Sequence, residues 1–308
     1  MEGDRAIHRD SRGVTWYDPS AEARSPLTTT QRILLPIDDS ELSRRVLGLG
    51  RRLLAPHGDQ GRGVLLHVLS PPSDSRKRER AVVKAREQLG DRIQELGQQP
   101  FQLRSWVSVG NPAEEILRGA AATGSSLIVM ASHGRAGLER VVRGSVAEEV
   151  LRTTRVPLLL CNPNELRLGE AAPFLRILVP LDGSQRAAAI LPLVAELACL
   201  PRSEVVLLCV EPKPLEEGSE RSQEVTVFLN RYAQHLTERG VKQVSLRSSA
   251  GDPARQILSA IEETRADLVA MTTHGRSGLA RLRFGSVAEK VLRQCVTPLL
   301  VSREPEQS

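Results

Sequence analysis

One stretch occurs twice in this chain, and that repetition constrains the fold more than any other feature. Residues 133–160 read HGRAGLERVVRGSVAEEVLRTTRVPLLL, and residues 274–301 read HGRSGLARLRFGSVAEKVLRQCVTPLLV. Aligned without a gap, 17 of the 28 positions are identical. The repeat extends upstream. RILLPI (32–37) returns as RILVPL (176–181), Asp38-Asp39-Ser40 as Asp182-Gly183-Ser184, and Gly110-Asn111-Pro112-Ala113 as Gly251-Asp252-Pro253-Ala254. The offset is 144 at the aspartates and 141 between Gly134 and Gly275. A near-constant offset of that size marks a duplicated domain, not an array of short repeats. A chain of 308 residues has the length of two domains at about 150 residues each.

The pattern within each copy sets the fold class. RILLPI and VLLHVL (64–69) are continuous apolar runs bounded by turn residues, as in parallel strands covered on both faces. Further strands are expected over 101–109, 126–131 and 156–160. Helices are expected from Ser40 to about Ala55, over 75–96, from Asn111-Pro112, and from Ser145. Asn111 is a capping residue and Pro112 a first-turn proline. The RKRER run (76–80) reads as a solvated helix face. Each half thus reads β-α-β-α-β-α-β-α-β. That order predicts two tandem doubly wound α/β domains, each a five-stranded parallel sheet with helices on both faces. The expected boundaries are 31–162 and 174–303, with a Pro/Gly-containing linker at 163–173 and a short tail at 304–308. Residues 1–30 read as a polar, largely disordered tail.

Composition excludes several classes. The net charge is +5 with a pI of about 9.3, but the signs are interleaved, and aromatic residues make up 3%. Neither a basic footprint nor a base-stacking surface is present, so no nucleic-acid partner is expected. The longest apolar run, at 187–200, is too short and interrupted for a bilayer, and the N-terminus has no apolar signal core. A cytoplasmic protein is the expectation. The four cysteines, Cys161, Cys199, Cys209 and Cys295, form no CxxC pair and read as buried reduced thiols.

The repeated stretch carries the chemistry. Gly134 with Gly144-Ser145, and Gly275 with Gly285-Ser286, share a G-x9-G-S spacing after an apolar strand and before a helix. Backbone N–H groups at such a helix start, at Ser145 and Val146 or Ser286 and Val287, favour an anion. Arg135, Arg140 and Arg143 add positive charge in the first half; Arg276, Arg281 and Arg283 do so in the second. An equally good local reading makes Ser145-Val-Ala-Glu148 and Ser286-Val-Ala-Glu289 capping boxes. Asp38 and Asp182 end their strands, where a carboxylate either shapes a turn or accepts hydrogen bonds from a sugar. Both pairs of readings stay open at this point. His133 and His274 recur beside the loops without metal-ligand spacing, and no Walker motif or nucleophile elbow is present.

In combination, RILLPIDDSE with RILVPLDGSQ, the two GxPA helix starts, and SHGRAGLERVVRGSVAEEVL with THGRSGLARLRFGSVAEKVL resemble the universal stress protein family over both halves. The resemblance implies an adenine nucleotide alpha hydrolase-like domain, twice. It implies pairing of the two domains through their last strands, and a possible homodimer of chains. In the family's ATP-binding branch, the strand-end aspartate holds adenosine, which falls on Asp38 and Asp182 with the preceding Pro36-Ile37 and Pro180-Leu181. The backbone touching adenine falls on Val68 and Val210. The phosphates, carrying Mg²⁺, fall on Gly134, Arg135, Gly144, Ser145 and Val146, and on Gly275, Arg276, Gly285, Ser286 and Val287. The first glycine of that branch's G-x2-G-x9-G-[S/T] pattern is Ala131 in one half and Thr272 in the other. Alanine adds one methyl group; Thr272 is β-branched and either crowds or contacts the ligand. An ATP-binding regulatory or stress-response protein with an unidentified protein partner is therefore expected, more securely in the first half. A nucleotide-independent scaffold is the alternative. A slow ATPase ranks last, because no catalytic base can be named.

Overall fold

The structure is a computed structural model that describes residues 7–9, 15–17, 30–38, 41–71, 74–131, 145–162, 174–198, 202–273 and 285–303. The segment read as a tail contains two short strands, β1 (Ile7–Arg9) and β2 (Thr15–Tyr17), paired antiparallel with Ile7 opposite Tyr17. Isoleucine, threonine, tryptophan and tyrosine favour extended backbone. Their signal was outweighed in the sequence by the polar residues around them.

The rest of the described chain forms two compact units, and the division falls within β7 (Leu158–Cys161), just before the expected linker. In the first unit, β3 (Arg32–Pro36) lies between β4 (Arg62–Leu69) and β6 (Leu127–Ala131), and β4 pairs on its far side with β5 (Gln102–Val109). All these pairings are parallel. Ile33, Leu34 and Leu35 are fully buried, as a central strand covered on both faces requires. The connecting helices are α1 (Glu41–Leu54), α2 (Ser75–Glu95) and α3 (Pro112–Ala122), and α4 (Ser145–Thr153) precedes β7. A 3-10 turn at Ala55–Gln60 ends α1, with Gly58 at φ 54°, a left-handed conformation that suits glycine. Asp74 and Asn111 cap α2 and α3; the Asn111 Oδ1 accepts from the N–H groups of Ala113 and Glu114.

The second unit repeats this order as β12-β11-β8-β9-β10, all parallel. Its strands are β8 (Arg176–Leu181), β9 (Glu204–Glu211), β10 (Gln243–Ala250), β11 (Leu268–Thr272) and β12 (Leu299–Ser302). Its helices are α5 (Gln185–Ala188), α6 (Leu191–Leu197), α7 (Glu220–Glu238), α8 (Pro253–Thr264) and α9 (Ser286–Gln294). Where the first unit has one continuous helix, the second has α5 and α6. Pro192, near the start of α6, lacks an N–H and clashes with the carbonyl four residues back, which interrupts the helix at Ala189-Ile190. The cysteines partly follow expectation: Cys161 and Cys209 are buried and in no disulfide, Cys295 is partly exposed, and Cys199 lies outside the described residues. Burial pushes the Cys161 thiol far above its ordinary range.

At the strand N-termini, opposite the site, one carboxylate joins three strands. Glu204 accepts from Arg176 Nε of β8 at 2.7 Å and from Ser245 Oγ of β10 at 2.7 Å. The Ser245 hydroxyl, and then Arg176, hold its carboxyl below the usual glutamate range. An unfolded glutamate takes up its proton at a higher pH than this one, near 4.3. The stabilisation is therefore complete above that value and is lost as pH falls through the folded pKa. Glu204→Gln is expected to flatten the acid side of the stability curve, read as a shallower fall of the urea midpoint between about pH 5 and 3. Leu178, fully buried in β8, should cost about 2–5 kcal/mol as Leu178→Ala in the same measurement. Asn111→Ala, which removes only a cap, should cost about 1 kcal/mol.

Candidate functional site

The site follows from where strand order reverses. In the second unit the chain runs β8, β9, β10 to one side, then crosses back to place β11 on the other side of β8. The loops leaving the C-terminal ends of β8 and β11 diverge, and a crevice opens between them. Asp182 and Thr273 sit directly after these strand ends. The first unit makes the same reversal between β3 and β6, with Ile33 opposite Leu127.

Asp182 shapes its own turn. Its Oδ1 accepts from Ser184 N at 2.9 Å and from Ser184 Oγ at 2.6 Å, while Ser184 Oγ accepts from Ala187 N at 3.1 Å to cap α5. Gly183, at φ 82°, gives this turn its left-handed residue. The turn-forming reading of the aspartate is thus correct for one of its oxygens. In the first unit, the Asp38 carbonyl accepts from Arg92 Nη1 of α2 at 2.9 Å.

At the other wall, Gly285 N donates to Thr273 O at 2.9 Å and closes the base of the loop between β11 and α9. The N-cap of α9 is Gly285, with no side-chain cap hydrogen bond. The capping-box expectation fails here. Ser286 is the first helical residue, Glu289 N donates to Gly285 O at 2.9 Å, and the Glu289 carboxylate pairs with Arg293. The Ser286 hydroxyl is exposed and has no partner among the described residues. The leading N–H groups of α9 have no intrahelical acceptor by geometry. Beside them, Lys290 of α9 donates to Asp252 at 3.1 Å. The Arg255 N–H, and then Lys290, hold the Asp252 carboxyl below the usual range.

These walls enclose a cleft of about 330 Å³, within the size range of small-ligand sites. Of the residues singled out in the second half, Pro180, Leu181, Asp182, Val210, Thr272, Gly285, Ser286 and Val287 all line it. Gly275 and Arg276 lie outside the described residues, as do His274, Arg281 and Arg283. Thr272 is buried in the wall, and the cleft stays open beside it. In the first unit, Pro36, Ile37, Asp38, Val68 and Ala131 occupy the corresponding strand ends, and Ser145 and Val146 open α4. There Gly134, Arg135 and Gly144 lie outside the described residues, with His133, Arg140 and Arg143.

The model of the universal stress protein family matches residues 29–162 and 173–303. The chain belongs to the universal stress protein family. A curated universal stress protein of Methanocaldococcus jannaschii is 36% identical over 92 residues, 30% of this chain and 49% of that protein. A second from the same organism is 36% identical over 66 residues, 21% of this chain and 41% of its own length. The chain therefore matches about half or less of these two relatives. The crystal structure of a universal stress protein from Archaeoglobus fulgidus is similar in fold, with a TM-score of 0.68 at 22% identity, covering 90% of this chain and 99% of that one.

This universal stress protein also lines its cleft with residues that the sequence did not single out: Ala187, Leu208, Pro253, Ile257, Met271 and Ala288. A signal existed for one of them. Pro253 belongs to the repeated GxPA start, which was read only as a helix cap. Ile257 is one turn further along the same helix face. An unpartnered serine and a capping serine differ in what their removal costs. Ser286→Ala should change stability by less than about 0.5 kcal/mol, whereas Ser184→Ala, which removes a cap, should cost about 1 kcal/mol in urea unfolding.

Proposed function

We propose that this universal stress protein binds ATP in the second-unit cleft and in its first-unit counterpart, and that it acts as a nucleotide-dependent regulatory or stress-response protein. One observation carries the reading: a helix start with no side-chain cap, and a serine with no partner among the described residues, share an apolar crevice with a strand-end aspartate. The aspartate and the helix start suit opposite ends of a nucleotide. Leu208, Val210, Ile257 and Met271 offer an apolar slot for the base. Asp182 accepts from ribose hydroxyls. The Ser286 hydroxyl and the leading N–H groups of α9 receive the phosphates, where the helix dipole favours negative charge. Among the described residues, no group of three His, Cys, Asp or Glu side chains could hold a metal. Mg²⁺ would then travel on the phosphates. A partner protein would read the occupied state.

Calorimetry with ATP and Mg²⁺ tests this. Binding near two equivalents per chain is expected, falling to one with Gly285→Val. Ser286→Ala should weaken the second site by about tenfold, the loss of one hydrogen bond to a charged group. Absence of binding by the unaltered chain would overturn the reading and favour a nucleotide-independent scaffold. Phosphate release that persists with Asp182→Ala at saturating ATP would point to an ATPase whose catalytic groups lie elsewhere.

A further inference from the structure

The second unit contains a larger cavity that the nucleotide reading does not use. A groove of about 450 Å³ lies between the α5–α6 break and the C-terminal half of α7. Gln185, Ala188 and Pro192 line one side; Arg231, Tyr232 and His235 line the other. The interruption made by Pro192 gives the groove its shape.

The polar groups are mostly donors. Arg231, Tyr232 and Gln185 have no side-chain partner for their polar atoms among the described residues. His235 Nε2 accepts from Arg239 Nε at 3.0 Å, so a neutral ring keeps its proton on Nδ1. The one carboxylate on the lining, Glu238, accepts from Gln234 Nε2 at 2.9 Å. Small apolar groups, Ala188, Ala189 and Pro192, sit close by, and the Tyr232 ring packs edge-on against Phe228 with centroids 6.2 Å apart.

The first unit carries different residues at the corresponding places. Aligning buried Ala85 and Leu89 of α2 with buried Val225 and Leu229 of α7 puts Arg92 at the position of Tyr232 and Asp91 at that of Arg231. Arg92 bonds to the Asp38 carbonyl and ties α2 to the turn after β3. An acid stands where the second unit has Arg231, and α1, the counterpart of α5 and α6, has no proline. Pro192, Arg231 and Tyr232, which line the groove, are thus not repeated in the first copy.

We propose that this groove is a second ligand site, for a small organic anion whose carboxylate pairs with Arg231 and whose apolar body lies over Ala188, Pro192 and the Tyr232 ring. The site adjoins the cleft: Ala187 of α5 lines the cleft, while Gln185 and Ala188 of the same helix line the groove. Titration of the full chain with sodium hexanoate and with sodium acetate, followed by backbone amide NMR without nucleotide, tests the proposal independently of ATP binding. Saturable hexanoate shifts confined to Ala188, Arg231, Tyr232 and His235 and their neighbours are expected, with acetate at least about tenfold weaker. Arg231→Gln, an exposed substitution, should weaken hexanoate by about tenfold or more while leaving the rest of the spectrum in place. Hexanoate and acetate of equal strength, shifts scattered over the surface, or an Arg231→Gln titration like that of the unaltered chain would each overturn the proposal.

Discussion

The reversal of strand order beside the central strand is the constraint on which the candidate site depends. A parallel strand with β-α-β connections sends every following loop to one end of the sheet. Two neighbouring strands whose chains depart in opposite directions leave a gap that neither loop covers. Here that gap falls between β8 and β11, and again between β3 and β6. The middle of the central strand is apolar and covered on both faces: Ile177, Leu178 and Val179 have no solvent exposure. The Glu204 cluster holds three strands at the far end, which leaves the C-terminal ends to carry loops rather than restraints.

Within that gap the charges are placed by backbone geometry more than by side chains. Asp182 is held by the turn it makes with Ser184, so its carboxylate stays at the crevice edge. Across from it, the start of α9 carries a positive dipole end with no side-chain cap among the described residues. The bond between Gly285 N and Thr273 O holds that helix start against the strand. Gly285 itself has φ −65° and ψ 147°, an ordinary extended conformation. Its contribution is the missing side chain, which leaves the helix without a side-chain hydrogen bond from its N-cap.

Much of this was legible in the sequence because duplication supplied an internal control. Two apolar runs ending in aspartate, two GxPA starts and two G-x9-G-S loops located the strands, the caps at Asn111 and Asp252, and the crevice. What escaped the sequence had weak or ambiguous local signals. Serine followed by glutamate three residues later reads as a capping box, and only the backbone tells that the preceding glycine is the cap. Ile257 and Met271 look like ordinary core residues until the sheet brings them to one wall. Arg176, Glu204 and Ser245 are far apart in sequence and carry no motif. The break at Ala189-Ile190 has a local signal in Pro192, a single residue inside the apolar run at 187–200.

The tandem arrangement has a consequence for divergence. In a symmetric homodimer of single domains, every substitution enters both copies at once, and a change useful at one place must be tolerated at its mate. Joining the copies in one chain removes that coupling. Gly48 of α1 stands where the second half has Pro192. Arg92 reaches the Asp38 carbonyl where the second half has Tyr232, and Ala131 stands where it has Thr272. At each of these positions the halves of one polypeptide carry different side chains under a shared architecture.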